Sequence, residues 1–167
     1  MFRLPFILSI SVLTLMLFSC MPSPYFQKEI SIPEYQWQYS FQPEFKVEIK
    51  DTNAHYNIYF ILRHTDAYPY SNIWLWAYIK EPGDTAFKRS RIEIPLAEQS
   101  GRWLGRGMGE IWEQRMPMTR NDAPMVFKKS GLYQIRLEQN MRINPLPDIL
   151  QIGLRVEKTG TPILVKR

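Results

Sequence analysis

The chain has 167 residues, of which 45% are hydrophobic and 22% charged, a length suited to one domain with a core of its own. Its net charge of +5 comes with no basic run and no recognition motif, which excludes a nucleic-acid-binding reading. The single cysteine, Cys20, excludes an intramolecular disulfide and any cysteine-rich metal site.

The N-terminus reads as a targeting segment. Arg3 supplies one positive charge, Leu4 to Phe18 is almost wholly apolar, and Leu17-Phe18-Ser19-Cys20 follows. The apolar run is signal-peptide length and too short to span a bilayer comfortably. The tetrapeptide resembles the lipobox of bacterial lipoproteins, so residues 1–19 are expected to be removed and Cys20 to become a lipidated first residue. An ordinary secretory signal is the alternative. Several acyl chains, each buried methylene contributing about 0.8 kcal/mol, would anchor the domain without a spanning helix.

Residues 20–40 read as a lipidated tether and lead-in, and residues 41–167 as the folded domain. Pro22, Pro24 and Pro33 break any helical period. Tyr25 to Ile30 reads as an edge strand, and Tyr35, Trp37 and Tyr39 alternate onto one side. Phe45 to Lys50 is a half-buried strand with Phe45, Val47 and Ile49 inward. The strand-rich composition, with 13 prolines against 8 glycines and 9 Tyr, 9 Phe and 5 Trp, fits the two apolar runs that come next, Tyr56 to Arg63 and Ile73 to Lys80. The polar segment His64 to Asn72 joins them.

Glu81-Pro82-Gly83-Asp84 predicts a type II turn, followed by a strand over Phe87 to Leu96. Gln99 to Ile111 carries four glycines among apolar anchors. No helix follows to face an anion, so a phosphate-cradling loop is rejected in favour of a bulge or a close backbone crossing. Gly131 and Tyr133 open a strand in which the tyrosine buries its ring at a corner while its hydroxyl bonds nearby backbone. A short helical turn is expected within Gln139 to Asp148, and Ile149 to Glu157 is the last strand. The sum is an all-β, antiparallel two-sheet sandwich of about eight strands, jelly-roll or immunoglobulin-like.

The strand from Ile73 to Ile79 is apolar on both faces. Ile73, Leu75, Ala77 and Ile79 point one way, and Trp74, Trp76 and Tyr78 the other. Either the lead-in aromatics Tyr35 to Tyr39 cover that second face, or Trp74, Trp76 and Tyr78 form a platform for a partner protein or a sugar. Catalytic chemistry has little to stand on: His55 and His64 lack partners at ligand spacing, and Asp66 beside His64 has no nucleophile in a recognisable turn. No catalytic residue, metal ligand or cofactor is assigned. Arg89, Arg91, Arg102 and Arg106 read as solvated surface.

Taken in order, the lipobox, RHTDAYPYSNIWLW (Arg63 to Trp76), GRWLGRGMGEI (Gly101 to Ile111), FKKSGLYQIRLEQNMR (Phe127 to Arg142) and IGLRVE (Ile152 to Glu157) are similar to the gliding-motility lipoprotein GldH family of Bacteroidetes. The resemblance covers nearly all of the mature chain. It implies a non-enzymatic envelope lipoprotein associated with gliding motility and, by connection, with the type IX secretion machinery, whose envelope proteins would be its partners. Met-Pro-Ser-Pro-Tyr after Cys20 lacks the acidic residues of surface-exported lipoproteins in the phylum. The expected address is therefore the outer membrane, facing the periplasm. The competing functional reading is a carbohydrate- or peptidoglycan-binding module using Trp74, Trp76 and Tyr78.

Overall fold

Runs of alternating burial, two residues to a period, dominate the computed structural model, which describes residues 24–118 and 125–159. Cys20 and the leader lie outside the described residues. Nine strands are present among them: β1 (Phe26–Ser31), β2 (Glu44–Ile49), β3 (His55–Thr65), β4 (Asn72–Lys80), β5 (Lys88–Pro95), β6 (Arg106–Met108), β7 (Ile111–Pro117), β8 (Gly131–Gln139) and β9 (Ile149–Thr159). They pair antiparallel throughout. One sheet has the order β1-β9-β3-β7-β6 and the other β2-β8-β4-β5.

That order selects between the two sandwich types. An immunoglobulin fold sets its first two strands side by side in one sheet. Here β1 and β2 lie in different sheets, and with the short β6 set aside the chain interleaves as a jelly roll. The core is the layer between the sheets. Phe45, Val47 and Ile49 from β2 meet Tyr56, Phe60 and Leu62 from β3, with Leu75, Ile135, Leu137, Ile152 and Leu154 filling between them.

Several turns follow directly from residue chemistry. Asp84 N–H donates to the Glu81 carbonyl at 3.0 Å, and Gly83 at the third position has φ of +85°, the positive φ that a type II turn requires there. Tyr133 is buried, and its hydroxyl donates to the Lys129 carbonyl at 3.0 Å, so the corner forms as its sequence predicts. Gly105 marks a close crossing: a Cβ there would run into the Glu113 carbonyl and lie 2.8 Å from the Gln114 side chain.

Three expectations need correction, and one strand, β7, was not anticipated. β3 continues through His64 to Thr65, because His64 is buried in phase with the inward residues before it, the pairing with β9 shifting register between Arg63 and His64. The stretch after the glycine loop is a strand, β7, whose inward positions are Trp112, Gln114 and Met116. Residues 140–148 contain no helix; Leu146 instead bridges to Trp37, each N–H bonding the other's carbonyl at 2.8 and 2.9 Å. Finally, Tyr35, Trp37 and Tyr39 do not share a side. Glu34 and Tyr35 adopt positive φ in a 3-10 turn over Pro33–Tyr35, which breaks the alternation, sending Trp37 into the core and leaving Tyr35 58% exposed.

Candidate functional site

The outer face of the four-stranded sheet carries the aromatic row. In β4 every second side chain, from Ile73 to Ala77, is buried inward, while Trp74, Trp76 and Tyr78 are half-buried on the outside. Among the described residues no lead-in ring stacks on them, Trp37 being buried in the core. Arginines of the neighbouring strand do: the Arg91 guanidinium sits 4.1 Å above the Trp74 ring and that of Arg89 4.6 Å above the Trp76 ring. A cation over an indole face is held by the ring quadrupole, for about 0.5–1 kcal/mol at such exposed sites.

The rest of the face is knitted by polar bonds. Tyr78 donates its hydroxyl to Glu138 at 2.8 Å, and Gln42 donates to the same carboxylate oxygen at 2.7 Å. This carboxylate and burial raise the Tyr78 pKa, burial being the larger cause. Arg136 pairs with Glu44 at 2.8 Å and lies 4.3 Å over the Phe87 ring. Among the described residues, neither Arg89 nor Arg91 has an ion-pair partner. The face therefore presents two indoles, a phenol and two stacked guanidiniums, that of Arg89 also bonding the Tyr78 side chain.

The other sequence candidates separate. Arg102 is an exposed partner of Glu98 across a loop, and Arg106 is exposed on β6, in the other sheet. His55 opens β3. His64 lies at the far end of the same strand, fully buried, with Trp103 at 4.5 Å and Tyr68 at 5.3 Å between ring centroids. Its Nδ1–H donates to the Thr65 carbonyl at 2.7 Å. Its Nε2 accepts from Gln114 Nε2 at 3.2 Å, which also donates to the Leu96 carbonyl at 3.1 Å. Both ring nitrogens are committed to structural bonds, so Asp66 and His64 form no acid–base pair. Burial pushes the imidazole pKa down, against smaller opposing effects of the Thr65 carbonyl and Asp148.

The sequence reading identified the aromatic row but missed Gln114 and the arginine cover. The signal for the cover was the alternation Arg89-Ser90-Arg91 on the strand next to the tryptophans.

The family described as GldH lipoprotein matches residues 24–156. A gliding motility lipoprotein GldH homolog of Christiangramia forsetii is 28% identical over 165 residues, covering 94% of this chain and 98% of that protein. The gliding motility lipoprotein GldH of Flavobacterium johnsoniae is 24% identical over 151 residues, covering 86% and 91%. Among solved structures, a non-crystalline-cellulose-specific carbohydrate-binding module, CBM28, aligns with a TM-score of 0.43 at 9% identity, over 80% of this chain and 73% of that one.

Proposed function

Because the chain belongs to the GldH lipoprotein family, we propose that it acts as a non-enzymatic subunit of an envelope assembly, binding other proteins of the gliding and type IX secretion machinery from a lipid anchor at Cys20. In this reading the domain hangs from the outer membrane and faces the periplasm, which the lack of acidic residues directly after Cys20 supports. The single observation that carries the binding role is the outer face of β4 and β5. Trp, Tyr and Arg are the residue types that carry most binding free energy at protein interfaces. Here Trp74, Trp76 and Tyr78 are half-buried and braced by Arg89 and Arg91, so little side-chain freedom remains to be lost on association.

The same geometry weighs against a glycan platform, since a sugar stacks on an open aromatic face and guanidiniums lie over both indoles. The test is recovery of partners from detergent-solubilised envelope by the tagged full chain, run beside retention on peptidoglycan and cellulose. Stoichiometric envelope proteins that are lost with Trp76→Ala support the reading. Retention on glycan without recovered protein overturns it.

A further inference from the structure

β5 is the outermost strand of its sheet, and its register against β4 runs unbroken from Lys88 to Pro95. Two contacts set the phase of its backbone bonds: the Ser71 carbonyl, which also accepts Ala97 N–H at 3.0 Å, accepts Leu96 N–H at 2.8 Å beside the Asn72–Pro95 pair, and the Trp74 carbonyl accepts Asn140 N–H at 2.7 Å from the β8 side, leaving the groups of Ile73 and Leu75 for β5. In an antiparallel ladder this makes Asn72–Pro95 a non-bonded pair and Ile73–Ile94 a bonded one. Ser90, Ile92 and Ile94 therefore bond to β4, while the N–H and C=O groups of Arg89, Arg91 and Glu93 point away from the sheet. Pro95, with no N–H, falls on that same open side, where proline is tolerated. By contrast, the opposite edge of this sheet is closed by the Tyr25 hydroxyl, which donates to the Glu48 carbonyl at 2.9 Å and accepts from Lys50 N–H at 3.2 Å.

We propose that the open edge of β5 binds the same edge of a second copy of this chain, antiparallel and centred on Ile92, joining the two four-stranded sheets into one. The sequence of the edge is complementary to itself in that register. A two-fold axis through Ile92 sets Arg91 opposite Glu93 of the second copy, and Glu93 opposite its Arg91. Both are outward-bonding positions, so each such pair exchanges both backbone bonds as well as an ion pair. Arg89 falls opposite Pro95, whose carbonyl accepts although it has no N–H to return. The half-buried Ile92 packs against its own copy at the axis. The neighbouring register, centred on Arg91, would also pair Arg89 with Glu93, but it sets Arg91 against its own copy, a like-charge contact that the register on Ile92 avoids. The charged groups are held ready: Arg91 is stacked on Trp74 with no carboxylate of its own, and Glu93 is oriented by the Asn72 amide at 2.7 Å. This association uses the strand edge rather than the aromatic face, and it would set two Trp74–Trp76–Tyr78 rows in one continuous surface.

Cysteine cross-linking of the full-length lipoprotein in cells reads the register directly. A non-bonded antiparallel pair has its Cα atoms about 4.5 Å apart, within disulfide range. Ile92→Cys is expected to give a disulfide-linked species of twice the mass, absent from the unsubstituted chain. Ser90→Cys alone should not, because Ser90 faces Ile94 of the second copy, whereas Ser90→Cys and Ile94→Cys chains expressed together should cross-link. Adding Arg91→Glu to Ile92→Cys should abolish the dimer, and adding Glu93→Arg to that variant should restore it. Absence of the Ile92→Cys dimer, an equal band from Ser90→Cys alone, or indifference to the charge reversal overturns the proposal. So does loss on Arg91→Glu with no recovery in the double reversal, the outcome expected of an acidic partner other than this chain.

Discussion

Arg91 faces Trp76 across the β4–β5 ladder, yet its guanidinium stacks on Trp74, one diagonal step along the sheet. Arg89 does the same, facing Tyr78 and covering Trp76. Diagonal neighbours in an antiparallel pair are within reach only of long side chains, so arginine fits this arrangement. A double-mutant cycle of Trp74→Ala and Arg91→Ala should return a coupling of about 0.5–1 kcal/mol by urea unfolding. Trp74→Ala alone should cost about 2 kcal/mol, less than a fully buried tryptophan. A coupling of zero would mean that the stack is not formed in solution.

Trp37 is the contrasting case. It is fully buried, its indole N–H donates to the Phe41 carbonyl at 2.9 Å, and its backbone bridges to Leu146. Trp37→Ala should cost on the order of 3–5 kcal/mol, measured as a lower urea midpoint with unchanged slope.

What the sequence made legible and what it hid divide along a physical line. β2 and β8 were readable because apolar and polar residues alternate with nothing to contradict them, and β4 because a short run of aromatic and β-branched residues between turn signals fits a strand. β7 was not, because the centre of its inward face is Gln114, a polar residue kept inside by bonds to His64 and Leu96 that only long-range pairing supplies. Likewise the alternation of Tyr35, Trp37 and Tyr39 presumed extended backbone, and the positive φ of Glu34 and Tyr35 removed that premise. The tryptophan row was visible as a pattern within one strand. Its arginine cover depended on the register between two strands, which local sequence does not encode.

Anchoring has its own test. The proposed attachment is a lipid at Cys20; among the described residues no helix is long and apolar enough to cross a membrane. Cys20→Ala is expected to move the chain from the membrane pellet to the soluble fraction after cell fractionation, since one lost lipid-bearing residue removes every acyl chain at once. Full retention in the pellet would assign the attachment to a protein partner.

Gly105 sits where the chain crosses β7, with the Glu113 carbonyl and the Gln114 amide filling the space a Cβ would take. Gly105→Ala therefore forces backbone apart beside the buried Gln114 and should destabilise by about 1–3 kcal/mol. Gly101→Ala makes a useful comparison. Nothing lies within 4 Å of its Cβ position, and its cost should come only from its positive φ, on the order of 1 kcal/mol.

The His64 site predicts a pH dependence of stability. Burial lowers the folded-state pKa of this imidazole below its ordinary value of 6.5, so the folded chain holds it neutral while the unfolded chain takes up a proton. Between the two values the unfolded state binds more protons, and unfolding free energy must fall as pH falls, by up to about 1.4 kcal/mol per pH unit for one group. The contribution is complete above 6.5 and is lost downward until the folded-state value is passed. Geometry gives the same sign: a proton on Nε2 would face the Gln114 donor at 3.2 Å, and turning that amide to accept would break its bond to the Leu96 carbonyl. Asp51, Asp84 and Glu98, lowered chiefly by their hydrogen-bonded Lys and Arg partners, act in the separate, more acid carboxylate range. Urea unfolding of the natural chain from pH 7.5 downward should lose stability just below 6.5, and His64→Gln should be flatter across that interval. Where His64→Gln folds poorly, an NMR titration of the imidazole in the natural chain supplies the second measurement, with the ring expected to stay neutral just below 6.5. Parallel unfolding curves for both chains would place the imidazole in water rather than in the core.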